Sequence, residues 1–196
     1  MRLWAMAAGV GVLAAAWLGP LPELARSLFI AHMTMHVAVV AVAAPLIAAG
    51  VAGTRWSRHA APLPASLIEL VVVWAWHAPA LHALSRSSLG WLAVEQGMFL
   101  AAALWVWIGA LNSPANGATA AGIGALLMTS MHMTLLGALL SVGPRLLFHT
   151  HDGGSADALG DQQAGGLIMV LVGGVSYLIG GLWLLAAFLR EKPKNT

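Results

Sequence analysis

The chain has no cysteine among its 196 residues, which removes disulfides, thiolate metal sites and CxxC redox chemistry at once. Charge is nearly as scarce. Lys and Arg number 9 and Asp and Glu 7, together 8% of the sequence, too few to clothe a soluble domain of this length. A net charge of +2 provides no basic patch, so nucleic-acid binding has no support. Neither an HExxH helix nor a GxSxG elbow occurs, and the paired glycines lie in apolar runs that suit helix packing better than a phosphate cradle. No enzymatic activity is expected. Metal chemistry, if there is any, must use His, Met and carboxylates.

Apolar residues are what the chain has in abundance. They make up 60% of it, and a mean hydropathy of +0.84 places it among polytopic membrane proteins. The fold class expected is an all-α transmembrane helical bundle, a single integral membrane domain over 1–196 with about six spans, at about 3–19, 29–50, 64–82, 91–111, 119–142 and 164–189. The first could be a signal peptide. No small-x-small cleavage site precedes Glu23, however, and Trp4 and Trp17 suit the two interfaces, which favours a retained span. Pro45 predicts a kink or an early helix end in the second span. Pro79 closes the third soon after His77, before a short turn at Ser85-Arg86-Ser87-Ser88, and Asn112 to Gly117 is a turn. Glycines in the last span allow close helix packing.

Orientation follows from the basic residues, because cytoplasmic flanks carry the excess of Lys and Arg. Arg2, Arg55, Arg58, Arg190, Lys192 and Lys194 fall on one side of the six-span arrangement, against Arg26, Arg86 and Arg145 on the other. Both termini are therefore expected in the cytoplasm. The loop bearing His149, His151, Asp152 and Asp157 is expected to face outward.

One run does not belong in lipid: His32-Met33-Thr34-Met35-His36, inside the second span. Ionisable side chains within a span are costly and face a bundle interior or an aqueous cavity. On a helix His32, Met35 and His36 share a face while Met33 is rotated away. Buried histidines can simply bond a neighbouring helix, and methionines often fill gaps. Depth argues for more than that. His32, His36, His77 and Glu95 all fall in the outer leaflet, His132 lies slightly deeper with Met128 one turn below, and Asp161, Gln162 and Gln163 cap the last span; Glu69 is the exception, nearer the cytoplasm. Unrelated core histidines would scatter over both leaflets. Imidazole with thioether favours copper, since thioether selects Cu(I) and imidazole serves both oxidation states. Zinc, with Glu95 as a general base, is the other metal these residues admit. The metal ligands expected are His32, His36, His77, Glu95, Met35 and His132.

Several of these residues carry a family resemblance. His32-Met33-x-x-His36 is followed by Ala44-Pro45-Leu46; then come Trp76-His77-x-Pro79, Glu95 with Phe99, Leu136-Gly137-Ala138-Leu139 leading to Pro144-Arg145, and Asp161-Gln162-Gln163-x-Gly165-Gly166. In order and spacing, from about Ile30 onward, the chain resembles the multi-spanning CtaG-like family of cytochrome c oxidase assembly factors, distinct from the single-span copper chaperone that shares the label. It departs from that pattern at Gln96, where a histidine would follow the glutamate, and His132 is not part of the resemblance. The resemblance implies a multi-pass protein of the inner (plasma) membrane that serves respiratory-chain biogenesis by helping to assemble haem-copper oxidases, with oxidase subunits or another assembly factor as partners and lipid around it. The reading that joins resemblance and residues is binding or relay of copper at the outer-leaflet site, with Glu95 a ligand or the group that orients an imidazole. Two alternatives stand beside it. One is a haem-binding membrane cytochrome or haem-handling assembly protein, with His32 or His36 opposite His132; the other is a purely structural oxidase partner whose polar residues fix helix register.

Overall fold

A computed structural model of the chain describes residues 2–53, 61–111, 116–148 and 156–190. Arg55, Arg58, Lys192, Lys194, His149, His151 and Asp152 lie outside them. No strand occurs among the described residues. The helices are α1 (Leu3–Leu18), the single turn α2 (Leu21–Leu24), α3 (Phe29–Val51), α4 (Pro62–Trp76), α5 (Pro79–Ser87), α6 (Leu89–Leu111), α7 (Asn116–Val142) and α8, which runs through Ala156–Ile168, Met169–Gly174 and Val175–Arg190.

Side-chain pairings fix how these helices run. Against α3, His32 meets Glu95, His36 meets Phe99 and Val40 meets Trp107, so α3 and α6 are parallel. Phe29 with Asp161 and Ala41 with Ser176 make α8 parallel to both. Gly50 sits against Met6 and Gly9 against Ala43, so α1 is antiparallel to α3. Gly137 faces Gly166, while Leu126 and Leu127 face Gly181, so α7 runs against α8; Leu63 with Gly124 and Glu69 with Thr129 align α4 with α7. Helices α1, α4 and α7 thus point one way and α3, α6 and α8 the other. The alternation expected of successive membrane crossings is present, and the end at which α3, α6 and α8 begin is called the upper end below.

The protein is an all-α membrane bundle, and among the described residues fewer helices are full-length spans than the sequence suggested. Among the described residues four helices are long and apolar enough to cross a membrane, and α4 with α5 makes a fifth if the bent pair is one span. At 16 residues α1 rises about 24 Å, short of a hydrocarbon core of about 30 Å, although it is laid along α3. The third span is also not one rod over 64–82. Its two helices meet at 76°, and the expected turn at Ser85 to Ser88 is instead mostly the last turn of α5. Pro79 is the cause: the residue before a proline is driven out of the helical region, and Ala78 adopts φ −67°, ψ 136°. Proline then serves as the first residue of the new helix, where its missing N–H costs nothing.

Pro45 acts differently. Neither a helix end nor a sharp break appears there; a π-helical turn over Ala38–Ala43 precedes it and α3 continues to Val51. Lacking an N–H, Pro45 cannot bond the carbonyl four residues back, that of Ala41, and in the wide turn the Ala44 amide bonds Val39 and not Val40. Both freed carbonyls find donors. Ser176 Oγ bonds Ala41 O at 2.7 Å, and Trp107 Nε1 bonds Val40 O at 3.2 Å with the Tyr177 hydroxyl 3.3 Å from it. Tyr177 also donates to Glu69 Oε1, Thr129 donates to Glu69 Oε2 at 3.1 Å, and Ser66 lies 2.8 Å from Thr129. Glu69, fully buried, is therefore a structural knot joining α4, α7 and α8 below the upper end. A second π turn, Met169–Gly174, lies beside the first, with Gly173 against Val37.

Candidate metal centre

Helix α3 begins with Phe-Ile-Ala-His and has no Ser, Thr, Asp or Asn at its cap position, which is Leu28 in an extended conformation. Its first amides are met from α8: Asp161 accepts from Phe29 N at 2.6 Å and Ile30 N at 2.9 Å. This contact fixes the height of His32 and His36, one turn apart and both fully buried. Thr34, between them, turns its hydroxyl back to Ile30 O at 2.7 Å and leaves the face to the imidazoles.

Around this face four helices contribute. Helix α6 brings Glu95, with Oε2 at 3.1 Å from His32 Nε2. Helix α5 brings His82, whose ring centroid is 4.6 Å from that of His32. One donor atom from each of His32, His82 and Glu95 falls within 4.8 Å of the other two. Ligands on one tetrahedral ion with bonds of about 2.0 Å are about 3.3 Å apart, so small side-chain rotations would close this triad on a metal. At the upper, C-terminal end of α4, His77 sits with its centroid 5.6 Å from that of His36, and Phe99 packs edge-on to His36 at 4.2 Å. His132 of α7 is also buried.

The polar atoms of this cluster are under-used. Both ring nitrogens of His32, His36, His82 and His132, Nε2 of His77, and Oε1 of Glu95 and of Gln96 are buried without a hydrogen bond among the described residues. Even the short His32–Glu95 approach is not aligned as a hydrogen bond. Buried polar atoms are ordinarily paired, and so many exceptions in one place need an account. A bound ion would supply one for His32, His82 and Glu95, whose donor atoms lie within 4.8 Å of one another.

Of the six residues expected as ligands, His32 and Glu95 enter the triad directly. His36, His77 and His132 form the layer beneath. Met35 is turned toward α1 and α6, among Ala16, Ala25 and Leu92, where it lines a half-open cavity of about 250 Å³ together with Trp17, Pro22, Leu89, Ala93 and Gln96. Gln96 connects the two places, since its Nε2 lies 3.3 Å from Glu95 Oε2. Met33 faces the other way, toward Gly165 of α8. His82 was not legible as a partner: it follows His77 by five residues across a proline, and only the 76° bend returns it over the bundle.

The Asp161-Gln162-Gln163 run does not cap its own helix; it organises the roof. Gln162 Oε1 accepts from Leu147 N at 2.7 Å, its Nε2 donates to Arg145 O at 3.1 Å, and Phe148 is thereby held over the site. Phe148 stacks on Phe29 at 4.7 Å and lies 4.2 Å from His82. Arg26 and Arg86 bond one another's carbonyls, tying the start of α3 to the end of α5.

Two imidazoles and one carboxylate suit several first-row ions, copper and zinc among them, and leave a coordination position open. The chain matches the family described as cytochrome c oxidase caa3 assembly factor over residues 1–191. No curated protein and no solved structure matches it.

Proposed function

Because the chain belongs to the cytochrome c oxidase caa3 assembly factor family, we propose that its upper cluster binds copper and hands it on while a haem-copper oxidase is assembled in the plasma membrane. Copper is cargo in this reading, and the protein is a carrier and not a catalyst. The supporting observation is the convergence of His32, His82 and Glu95 within 4.8 Å in a fully buried layer whose nitrogens have no other use. Imidazole binds copper in both oxidation states, and Glu95 offsets the charge that a low-dielectric site would otherwise have to bear. Partners would be the oxidase subunits or a further assembly factor approaching the upper end.

Deleting the protein should lower assembled oxidase and its copper content without lowering transcription of the oxidase subunits, and added copper should restore part of both. The reason is mass action: a site that concentrates metal matters less when free metal rises. No recovery under copper, with oxidase subunits still in the membrane, would refute delivery. Purified protein separates the remaining readings, since a Soret band would mark a haem protein, bound copper without one a carrier, and neither a scaffold.

A further inference from the structure

The six donors do not form one site. We infer that the chain holds two copper stations stacked along α3, the upper built from His32, His82 and Glu95 and a second, one helical turn deeper, built from His36, His77 and His132. This inference rests on the copper reading above.

Three observations separate the deeper station from the upper. His77 is the one imidazole of the cluster whose ring proton has a place: Nδ1 donates to Val73 O at 2.7 Å, which leaves Nε2 as a lone pair, buried and without a hydrogen bond. Metal-bound histidines are commonly fixed in this way, through a carbonyl on the other ring nitrogen. Geometry then permits a shared ion. Two imidazoles on one metal with bonds of about 2.0 Å have centroids no more than about 6.4 Å apart, and those of His36 and His77 are 5.6 Å apart. Helix register places a third imidazole at the same depth. Gly173 lies against Val37 and Gly174 against Ser130 and Thr134, which puts His132 in the layer of His36. Its ring nitrogens are buried and without a hydrogen bond.

The two stations differ in charge, and that decides what each can hold. Within the bundle the described carboxylates are Glu95, 3.1 Å from His32 and bonded by Gln96, and Glu69, committed to Tyr177 and Thr129. The deeper station thus has only neutral donors. Desolvating an ion costs in proportion to the square of its charge, so a divalent ion there costs about four times what a monovalent one does. Cu(I), soft and monovalent, suits three buried imidazoles at the lowest desolvation cost; Zn(II) and Cu(II), which imidazoles also bind, are held more tightly above, where the carboxylate offsets their charge. Phe99, edge-on to His36, keeps the lower layer apolar.

The test is stoichiometry on the full chain in lipid nanodiscs. Under anaerobic titration with Cu(I) against a chromophoric competitor, the wild type should take up two ions per chain, and Zn(II) alone should give one. His82→Gln should retain one Cu(I) and lose the Zn(II); His77→Gln should retain one Cu(I) and keep the Zn(II). Helicity measured on each variant guards against misfolding, and the wild-type count needs no variant at all. One Cu(I) per wild-type chain, or loss of all copper in either folded variant, would mean a single shared site and overturn the two-station inference while leaving copper carriage intact. No copper on the wild type would overturn both.

Discussion

Asp161 and Phe29 stand 132 positions apart in the sequence, yet the carboxylate of one receives the backbone N–H of the other at 2.6 Å. The start of the helix that carries His32 is thus held by a residue of the last helix. Asp161→Ala should cost about 2 kcal/mol, the upper range for loss of a helix cap, because two amides are stranded and the helix N-terminus loses an anion. Asp161→Asn should cost less. Thermal unfolding in detergent measures both, and two variants as stable as the wild type would show the cap to be energetically idle.

Gly165 seats the Phe29 ring. A Cβ there would lie 2.4 Å from Phe29 Cδ1 and 3.0 Å from Met33 Cγ, so Gly165→Ala must displace the aromatic roof, at about 1 to 3 kcal/mol. Gly97 on α6 has nothing within 4 Å, and Gly97→Ala should be neutral or stabilise by up to about 1 kcal/mol through helix propensity. Equal melting temperatures for the two would contradict the packing described.

The two methionines of the His/Met run should separate functionally. Leu conserves volume at either, so stability should change by less than about 1.5 kcal/mol in both variants. Copper retention should fall in Met35→Leu, whose side chain lines the cavity beside Gln96, and hold in Met33→Leu, which faces Gly165. Equal retention, by metal analysis after dialysis, would show that the cavity Met35 lines takes no part in holding copper.

Glu69 should matter to stability and not to metal. Removing it as Glu69→Ala opens a cavity and strands the hydroxyls of Tyr177 and Thr129, about 3 kcal/mol or more. Glu69→Gln preserves the shape and should cost well under that. If Glu69→Ala instead lost its copper while melting normally, the knot would have to be counted as part of the site.

Orientation can be read with cysteines placed in a chain that has none. Ser87→Cys, exposed at the upper end, should react with an impermeant reagent in intact cells, and Ala52→Cys, exposed at the other end, should not. The opposite pattern would invert the whole arrangement and place the histidine cluster on the cytoplasmic side.

Much of this was written legibly in the sequence. Apolar runs located the long helices, and the shared depth of His32, His36, His77 and Glu95 located the cluster, because both depend on counting along a helix. What escaped was whatever depends on a break in that counting. His82 joins His32 only because Pro79 turns the chain by 76°, an angle no periodicity encodes. Met35 was placed on the histidine face by the helical wheel, but the neighbours on that side are α1 and α6. Asp161 looked like a cap for its own helix and serves another, since a cap need only be near in space.

The wide turn at Ala38–Ala43 puts α3 out of step with itself. It holds one residue more than the same rise of α-helix, so a count in steps of about 100° begun at His32 arrives on the wrong face beyond Ala43. The turn therefore works as a vernier between two independent settings. Above it, the azimuth of His32 and His36 is set by Asp161 and Glu95; below it, that of Gly50 is set by the closeness of Met6. Shortening α3 by one residue within Ala38–Ala43 would restore a regular helix and lock the two settings together, so that the histidines could meet their partners only if α1 gave up its seat.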